Sequence, residues 1–511
     1  MDIPSKKRGR SVALKKEGNS HIDHSPFLSN SLSSNLELIQ TTLGPTPDLK
    51  MLKFEIRSEP LTILYMADLV DSEKLQNILK SIKYIKYAPP VDTSLFEQMY
   101  SDIYLTAQTD KVSKMNDVIY HLLNGKTVIL MDSINEGFSV DTYGGKVRAI
   151  EEPQTESLIR GPKVSFTEEI GVNIAMIRRQ ITDQNLKIES FVIGERGKKK
   201  VALLYIGDVI NPAIVDEARH RLQHISIDAT IDSGIIEQSI EDNFMSPFPQ
   251  FISTERPDKV ALSLLQGRLA IIPDQTANVL IAPVSILDTV QSPEDYYERW
   301  HIGSLLRMLR AFAVFISLFL PSFYIALVSF HQGLIPSRLA FSIAASREGV
   351  PFPAFVEALM MAITMELLRE AGLRLPKPIG QTIGIVGGIV IGEAAVQAGI
   401  VSTVMVIVIA ITAIASFTLP VYSMGVTYRI LLFCFIFAAG MMGLYGISLA
   451  FIVLVIHIVN LTSLGIPYAA PLAPIFINDW KELFVRLPIS FTKKRPVFLD
   501  PVDEVRSEKE E

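Results

Sequence analysis

From Pro378 to Tyr428 the chain carries one charged side chain, Glu393, and from Ile430 to Asn478 it carries none apart from His457. A bilayer core is crossed by about 20 apolar residues of helix, so these two blocks leave room for several spans. The uncharged window AFAVFISLFLPSFYIALVSF, 311–330, adds another. The first 300 residues hold no comparable run and read as a soluble portion, which is why the mean hydropathy of the whole chain is only +0.30.

The soluble portion divides by pattern. Residues 1–50 are Ser/Asn-rich and open with Lys6, Lys7, Arg8, Arg10, Lys15 and Lys16, the composition of a disordered basic tail. In 51–150, the short apolar runs LTILYMADLV and KTVILMD alternate with the helix-patterned DSEKLQNILKSI, giving a first α/β subdomain. Residues 151–298 repeat the mixture: FTEEIGVNIAMIRRQI and NPAIVDEARHRLQHI have helical spacing, and SFVIGERGKKKVALLYIGDVI reads as two strands around a Gly-containing turn. Residues 299–470 form a helical transmembrane domain, and 471–511 a cytosolic amphipathic segment and charged tail. The expected fold is therefore an α/β soluble N-terminal region in two subdomains followed by a polytopic α-helical membrane domain.

Basic residues orient that domain. Arg299, Arg307 and Arg310 precede the first span; Arg369, Arg374 and Lys377, then Arg429, then Lys481, Arg486, Lys493, Lys494 and Arg495 mark three further positions. Placing all four on the cytoplasmic side, as the positive-inside rule asks, gives about five to six crossings near 311–330, 353–370, 380–399, 401–420, 430–444 and 446–461, with both termini cytosolic. Residues 353–370 carry Glu357 and Glu366 and are also readable as an interfacial or re-entrant helix; the pair after Arg429 is readable as one hairpin. Arg338 and Arg347 fall on the outer side, against the rule.

Gly380, Gly384, Gly388 and Gly392 recur every four residues, a stripe against which a neighbouring helix packs closely. Thr382, Glu393 and Gln397 share a different face of the same helix. A carboxylate at the bilayer centre costs at least ~2.5 kcal/mol and therefore faces a bundle interior or water. Glu393, Gln397 and Thr382 are thus candidates for the lining of a hydrated path; a carboxylate snorkelling to the headgroups or bonded to an adjacent helix fits the same pattern.

Other chemistry is weakly supported. His220 and His224 are one turn apart but flanked by arginines, with no carboxylate at ligand spacing, so no metal is expected. NGKT, 124–127, lacks the first glycine of a phosphate-binding loop and reads as a turn into a strand. Glu357 and Glu366 lie on opposite helix faces, which argues against a paired acid/base site. Cys434, the single cysteine, reads as a small buried hydrophobe. A net charge of −6 gives no basic face for nucleic acid. Neither an enzyme nor a cofactor is indicated.

The segments IRGPKVSFTEEIGVNIAMIRRQI, DSGIIEQSIEDNFMSPFPQFISTERPDKVALSLLQGRLAIIPD, SPEDYYERWHIGSLLRMLRAF and PFPAFVEALMMAITMELLREAGLRLPKPIGQTIGIVGGIVIGEAAVQAGIVS resemble the A subunits of the GerA-type spore germinant receptors. The resemblance implies a multi-pass protein of the spore inner membrane that works with a B-type transporter-like receptor subunit and a C-type lipoprotein subunit. It further implies a homo-oligomer forming a nutrient-gated channel for monovalent cations. A non-conducting scaffold, or a relative acting with dipicolinate-release proteins, fits the same motifs.

Overall fold

The computed structural model describes residues 26–44, 46–87, 94–104, 107–144, 152–153, 156, 158, 160–374, 392–477, 479–480 and 485–506. A first series of elements runs α1 (Leu32–Leu43), β1 (Leu49–Ile56), β2 (Glu59–Met66), α2 (Ser72–Tyr87), α3 (Leu95–Tyr104), β3 (Thr109–Val112), α4 (Met115–Leu123), β4 (Thr127–Met131) and β5 (Gly137–Val140). A second runs α5 (Ile170–Gln180), β6 (Leu186–Ile193), β7 (Lys199–Ile206), α6 (Pro212–Gln223), α7 (Ser233–Ile240), β8 (Ile252–Thr254), α8 (Pro257–Leu264), β9 (Leu269–Pro273) and β10 (Val279–Ala282). The two series share one element order, and their five-stranded sheets share one strand order, β1-β2-β4-β5-β3 and β6-β7-β9-β10-β8.

The duplication reaches individual hydrogen bonds. Asn35 Oδ1 accepts the Ser29 N–H at 2.9 Å while its Nδ2 donates to the Ser29 carbonyl at 2.8 Å; Asn173 does the same to Thr167 at 2.8 and 2.6 Å. Asp132 accepts the N–H of Leu32, the first residue of α1, at 2.9 Å, and Asp274 accepts that of Ile170, the first of α5, at 3.2 Å. Each carboxylate meets a helix end whose N–H groups lack partners and whose dipole favours an anion. The chain turns through positive φ at Gly125 and Ser133 in one copy and at Gly267 and Gln275 in the other. The sequences agree: LLNGKTVILMD (122–132) matches LLQGRLAIIPD (264–274), and LTILYMADLV (61–70) matches VALLYIGDVI (201–210).

Each sheet is held by burial on the period of a strand. In the first, Ile63, Ile129 and Met131 pack with Ile78 and Ile82 of α2 and Met99 of α3. In the second, Ala202 and Leu204 face one core with Ile177 of α5 and Val260 of α8, while Val201 and Leu203 face another with Ile214 of α6 and Ile236 of α7. The helix α1 corrects the expectation of an unfolded tail through residue 50. Leu32, Leu36, Ile39 and Leu43 are buried at spacings of four, three and four, and one such stripe suffices to dock a helix despite the polar composition around it.

Beyond the second copy come α9 (Glu294–Tyr297), α10 (Trp300–Ser329), α11 (Ser337–Arg347), α12 (Ala354–Arg374), α13 (Gly392–Gln397), α14 (Thr403–Phe417), α15 (Tyr422–Asn460), β11 (Thr462–Ser463) and β12 (Ile466–Pro467). Among the described residues, α10 and α15 are long and apolar enough to cross a membrane. α10 runs unbroken through Pro321. α15 breaks at Gly443, where φ is 61° and ψ −138°. A straight helix advances about 12 Å over eight residues, yet a Cβ on Gly446 would lie 2.0 Å from the Ala438 carbonyl oxygen, so the two arms of α15 fold back as a hairpin. The stretches 430–444 and 446–461 are those arms. Cys434 is exposed on the outer face rather than buried, because the apolar run around it is lined up with partners on the opposite side only, at Phe435, Ile436 and Ala439.

The segment 485–506, expected as an amphipathic piece and a tail, folds back as a strap on the second α/β copy. Phe498 and Leu499 are buried, the Val502 N–H donates to the Val209 carbonyl at 2.9 Å, and Arg495 Nε donates to that of Leu265 at 2.9 Å.

Candidate functional site

Glu393 and Gln397 lie one turn apart on α13, and Gln397 Nε2 donates to Glu393 Oε1 at 3.0 Å. Both are exposed. Gly392, just before them, is buried, and a Cβ there would touch Val406 of α14 at 3.7 Å, an ordinary contact. Thr382, Gly380, Gly384 and Gly388 lie outside the described residues. The sequence-derived polar pair is thus brought together, and among the described residues both side chains are exposed.

The helical part does enclose another carboxylate. Glu357 of α12 is 0% exposed; Arg347 Nη2 stands 3.0 Å from its Oε1, and its Oε2 accepts the Ser402 N–H at 2.8 Å. Ser402 in turn caps α14, its hydroxyl accepting the Met405 N–H at 3.3 Å. Arg347 therefore has a buried partner. Glu366 has a separate set: Arg369 at 3.2 Å and Arg429 at 3.8 Å, with Arg369 also donating to Ser416 at 3.1 Å and lying over the Phe417 ring at 4.9 Å. Each glutamate has its own arginines, so the two do not form one acid/base site.

Where the helices meet the second α/β copy, polar contacts are dense. Asp295 is wholly buried between Arg307, at 3.2 Å, and Arg310, and its backbone oxygen accepts Arg486 Nη1 at 2.5 Å. The Arg486 N–H donates to the Ser304 hydroxyl of α10 at 3.0 Å. Further on, Thr427 donates to the Pro247 carbonyl at 2.5 Å, and His457 Nε2 lies 2.8 Å from the Ser246 hydroxyl. Asp242 accepts the N–H groups of Leu464 and Gly465 at 3.2 and 3.3 Å and pairs with Arg221. Burial works against its charge, but hydrogen bonds from Thr462 and Arg221 outweigh that and hold the carboxyl below its ordinary value. Both arms of the α15 hairpin are thus attached at their open end, while Gly443 at the tip meets Phe330 and His331 just past α10.

The exposed pair His220, on α6, and His224, just past its end, has ring centroids 4.2 Å apart, and among the described residues no group of three metal-ligating side chains occurs. The buried clusters were missed in the sequence because their members lie far apart in the chain; the one local signal was charge inside 353–374.

The family model described as Bacillus/Clostridium GerA spore germination protein matches residues 37–498. Spore germination protein GerLA of Bacillus cereus is 49% identical over 94% of this chain and 98% of its own length. Spore germination protein A1 of Bacillus subtilis (strain 168) is 42% identical over 94% and 98%. The crystal structure of the N-terminal domain of the A subunit of the Bacillus megaterium spore germinant receptor GerK3 aligns with 51% of this chain and 97% of that one at 36% identity, with a TM-score of 0.41. With a match that runs nearly end to end, the chain belongs to the Bacillus/Clostridium GerA spore germination protein family.

Proposed function

We propose that this protein is the A subunit of a spore germinant receptor in the spore inner membrane and that several copies assemble into a nutrient-gated path for monovalent cations. Glu393 carries the reading. Glu357 and Glu366 are each met by arginine of the same chain, whereas Glu393 is met, among the described residues, by neutral Gln397 alone and stays exposed. A carboxylate in an apolar run needs polar company or water, and symmetry-related copies around a hydrated path supply both. A ring of such carboxylates favours cations. The proposal extends to Thr382 and to Gly380, Gly384, Gly388 and Gly392, of which all but Gly392 lie outside the described residues.

The orientation has both termini cytosolic. α10 starts beside the second α/β copy and ends at the hairpin tip of α15, so the copy and the arginines at 307, 310, 429 and 486 share one side. Side chains such as Phe312, Phe315, Met441 and Phe451 are exposed and face lipid or neighbouring copies. The subunit works with a B-type transporter-like subunit, which senses the nutrient, and a C-type lipoprotein. Spores carrying Glu393→Gln at normal protein level are expected to release potassium and germinate more slowly on nutrient; an unchanged rate removes Glu393 from the path.

A further inference from the structure

Between the second α/β copy and the C-terminal strap lies a cavity of about 230 Å³, with Arg268, Asp288, Tyr296, Asp479, Lys493 and Phe498 on its walls. Cations prevail there: Arg268, Lys493, Lys494 and Arg495 stand against Asp288 and Asp479, an excess of two positive charges (4 − 2). Both carboxylates have partners, Asp288 among them Arg268 of the same walls. Asp288 accepts the N–H and hydroxyl of Ser285 at 2.7 and 2.9 Å and Arg268 Nη2 at 2.8 Å. Asp479 accepts the N–H groups of Val497 and Phe498 at 2.9 and 3.2 Å. Lys494 and Arg495 are paired with Glu504 and Asp503.

Two donors are left over. Among the described residues Lys493 has no ion pair, and Arg268, only 4% exposed, keeps its buried Nε–H without an acceptor. A buried guanidinium N–H left unbonded is unfavourable, and anionic oxygen is its strongest acceptor. A phosphate monoester, with about −1.5 to −2 charge at neutral pH and three acceptor oxygens, offers acceptors to both donors at once.

We propose that this cavity is a cytosolic binding site for a small phosphate monoester, its oxygens taking the Arg268 and Lys493 donors and its body lying against Tyr296 and Phe498. The strap holding Lys493 also holds Arg486, which is bonded to Ser304 and to the carbonyls of Asp295 and Glu298. A ligand joining Arg268 to Lys493 therefore fastens the strap between the α/β copy and the first turns of α10. The site stands whether or not the chain conducts ions.

The test is calorimetric titration of the purified full-length chain with sn-glycerol 3-phosphate, and separately with short-chain phosphatidic acid, to distinguish a soluble ligand from a lipid headgroup. Saturable binding of either probe is expected. Lys493→Glu is expected to weaken it by about tenfold or more and Lys493→Arg by less than about threefold, since the second keeps the charge. Arg268→Lys, which keeps a cation for Asp288 but removes the Nε–H, is expected to weaken it as well. Lys493 is exposed, so the thermal midpoint of the two unliganded Lys493 variants should match the parent chain. No saturable binding of either probe overturns the proposal, as does binding that Lys493→Glu leaves unchanged.

Discussion

Glu357 accepts the Ser402 N–H at 2.8 Å through one carboxylate oxygen and holds Arg347 at 3.0 Å with the other. One buried side chain thus joins α11, α12 and the N-terminus of α14, and the N-terminal turn of α14 is a favourable place for its charge. Removing one member of a buried pair leaves the other uncompensated and costs about 3–5 kcal/mol. Glu357→Ala is expected to cost that much in thermal stability of the purified protein, and the double variant with Arg347→Ala to cost less than the sum of the two single variants. Strict additivity would show that the pair is not coupled.

Gly443 turns the α15 hairpin with φ 61° and ψ −138°, a conformation that side chains disfavour, and a Cβ there would come within 2.9 Å of Phe330 and His331. Gly443→Ala carries a backbone cost of about 1–3 kcal/mol before any clash is counted. The expected outcome is a sharp fall in membrane-inserted protein, read by quantitative blotting, while Gly425→Ala, which meets nothing within 4 Å, leaves the level near normal.

Burial, with Glu241 and Asp232 nearby, raises the Glu237 carboxyl from 4.5 to about 7. A folded pKa above the unfolded one means that the folded state binds more protons, so the contribution is fully present below pH 4.5 and is lost as pH rises through about 7. At 1.36 kcal/mol per unit, the loss amounts to about 3 kcal/mol. Thermal midpoints at pH 5 and pH 8 should differ by more in the parent chain than in Glu237→Gln. Equal pH dependence in both would assign the effect to another group.

Cys434 is the single thiol and is exposed on α15. A fluorophore attached to it in detergent should, after reconstitution, be quenched by brominated lipid and not by aqueous iodide. Quenching by iodide alone would place that face of α15 in water.

The apolar blocks of the sequence located α10, α14 and α15, since a helix in lipid must satisfy its backbone internally and needs a long uncharged run. The strands LTILYMADLV, KTVILMD and KKKVALLYIGDVI became β2, β4 and β7 for an equally local reason. What stayed hidden depended on distance along the chain. The partners of Glu357 are 10 and 45 residues away, at Arg347 and Ser402, and no spacing rule relates them. The turn of α15 at Gly443, by contrast, falls beside the 444/446 boundary where the sequence already offered a hairpin. Two signals were present yet unread: the stripe Leu32, Leu36, Ile39, Leu43 under a Ser/Asn-rich composition, and the match of LLNGKTVILMD to LLQGRLAIIPD, which reveals the duplication of the α/β unit. Of the polar face, Glu393 and Gln397 are adjacent as helical spacing required, while Thr382 lies outside the described residues.

The central claim is tested most directly by potassium flux from liposomes carrying the purified chain with the proposed B-type and C-type subunits, compared with the same mixture bearing Glu393→Gln. Flux that appears on adding nutrient and falls several-fold in the variant is the expected result. An intact complex that passes no potassium under any condition would contradict the channel and leave the protein as a non-conducting scaffold.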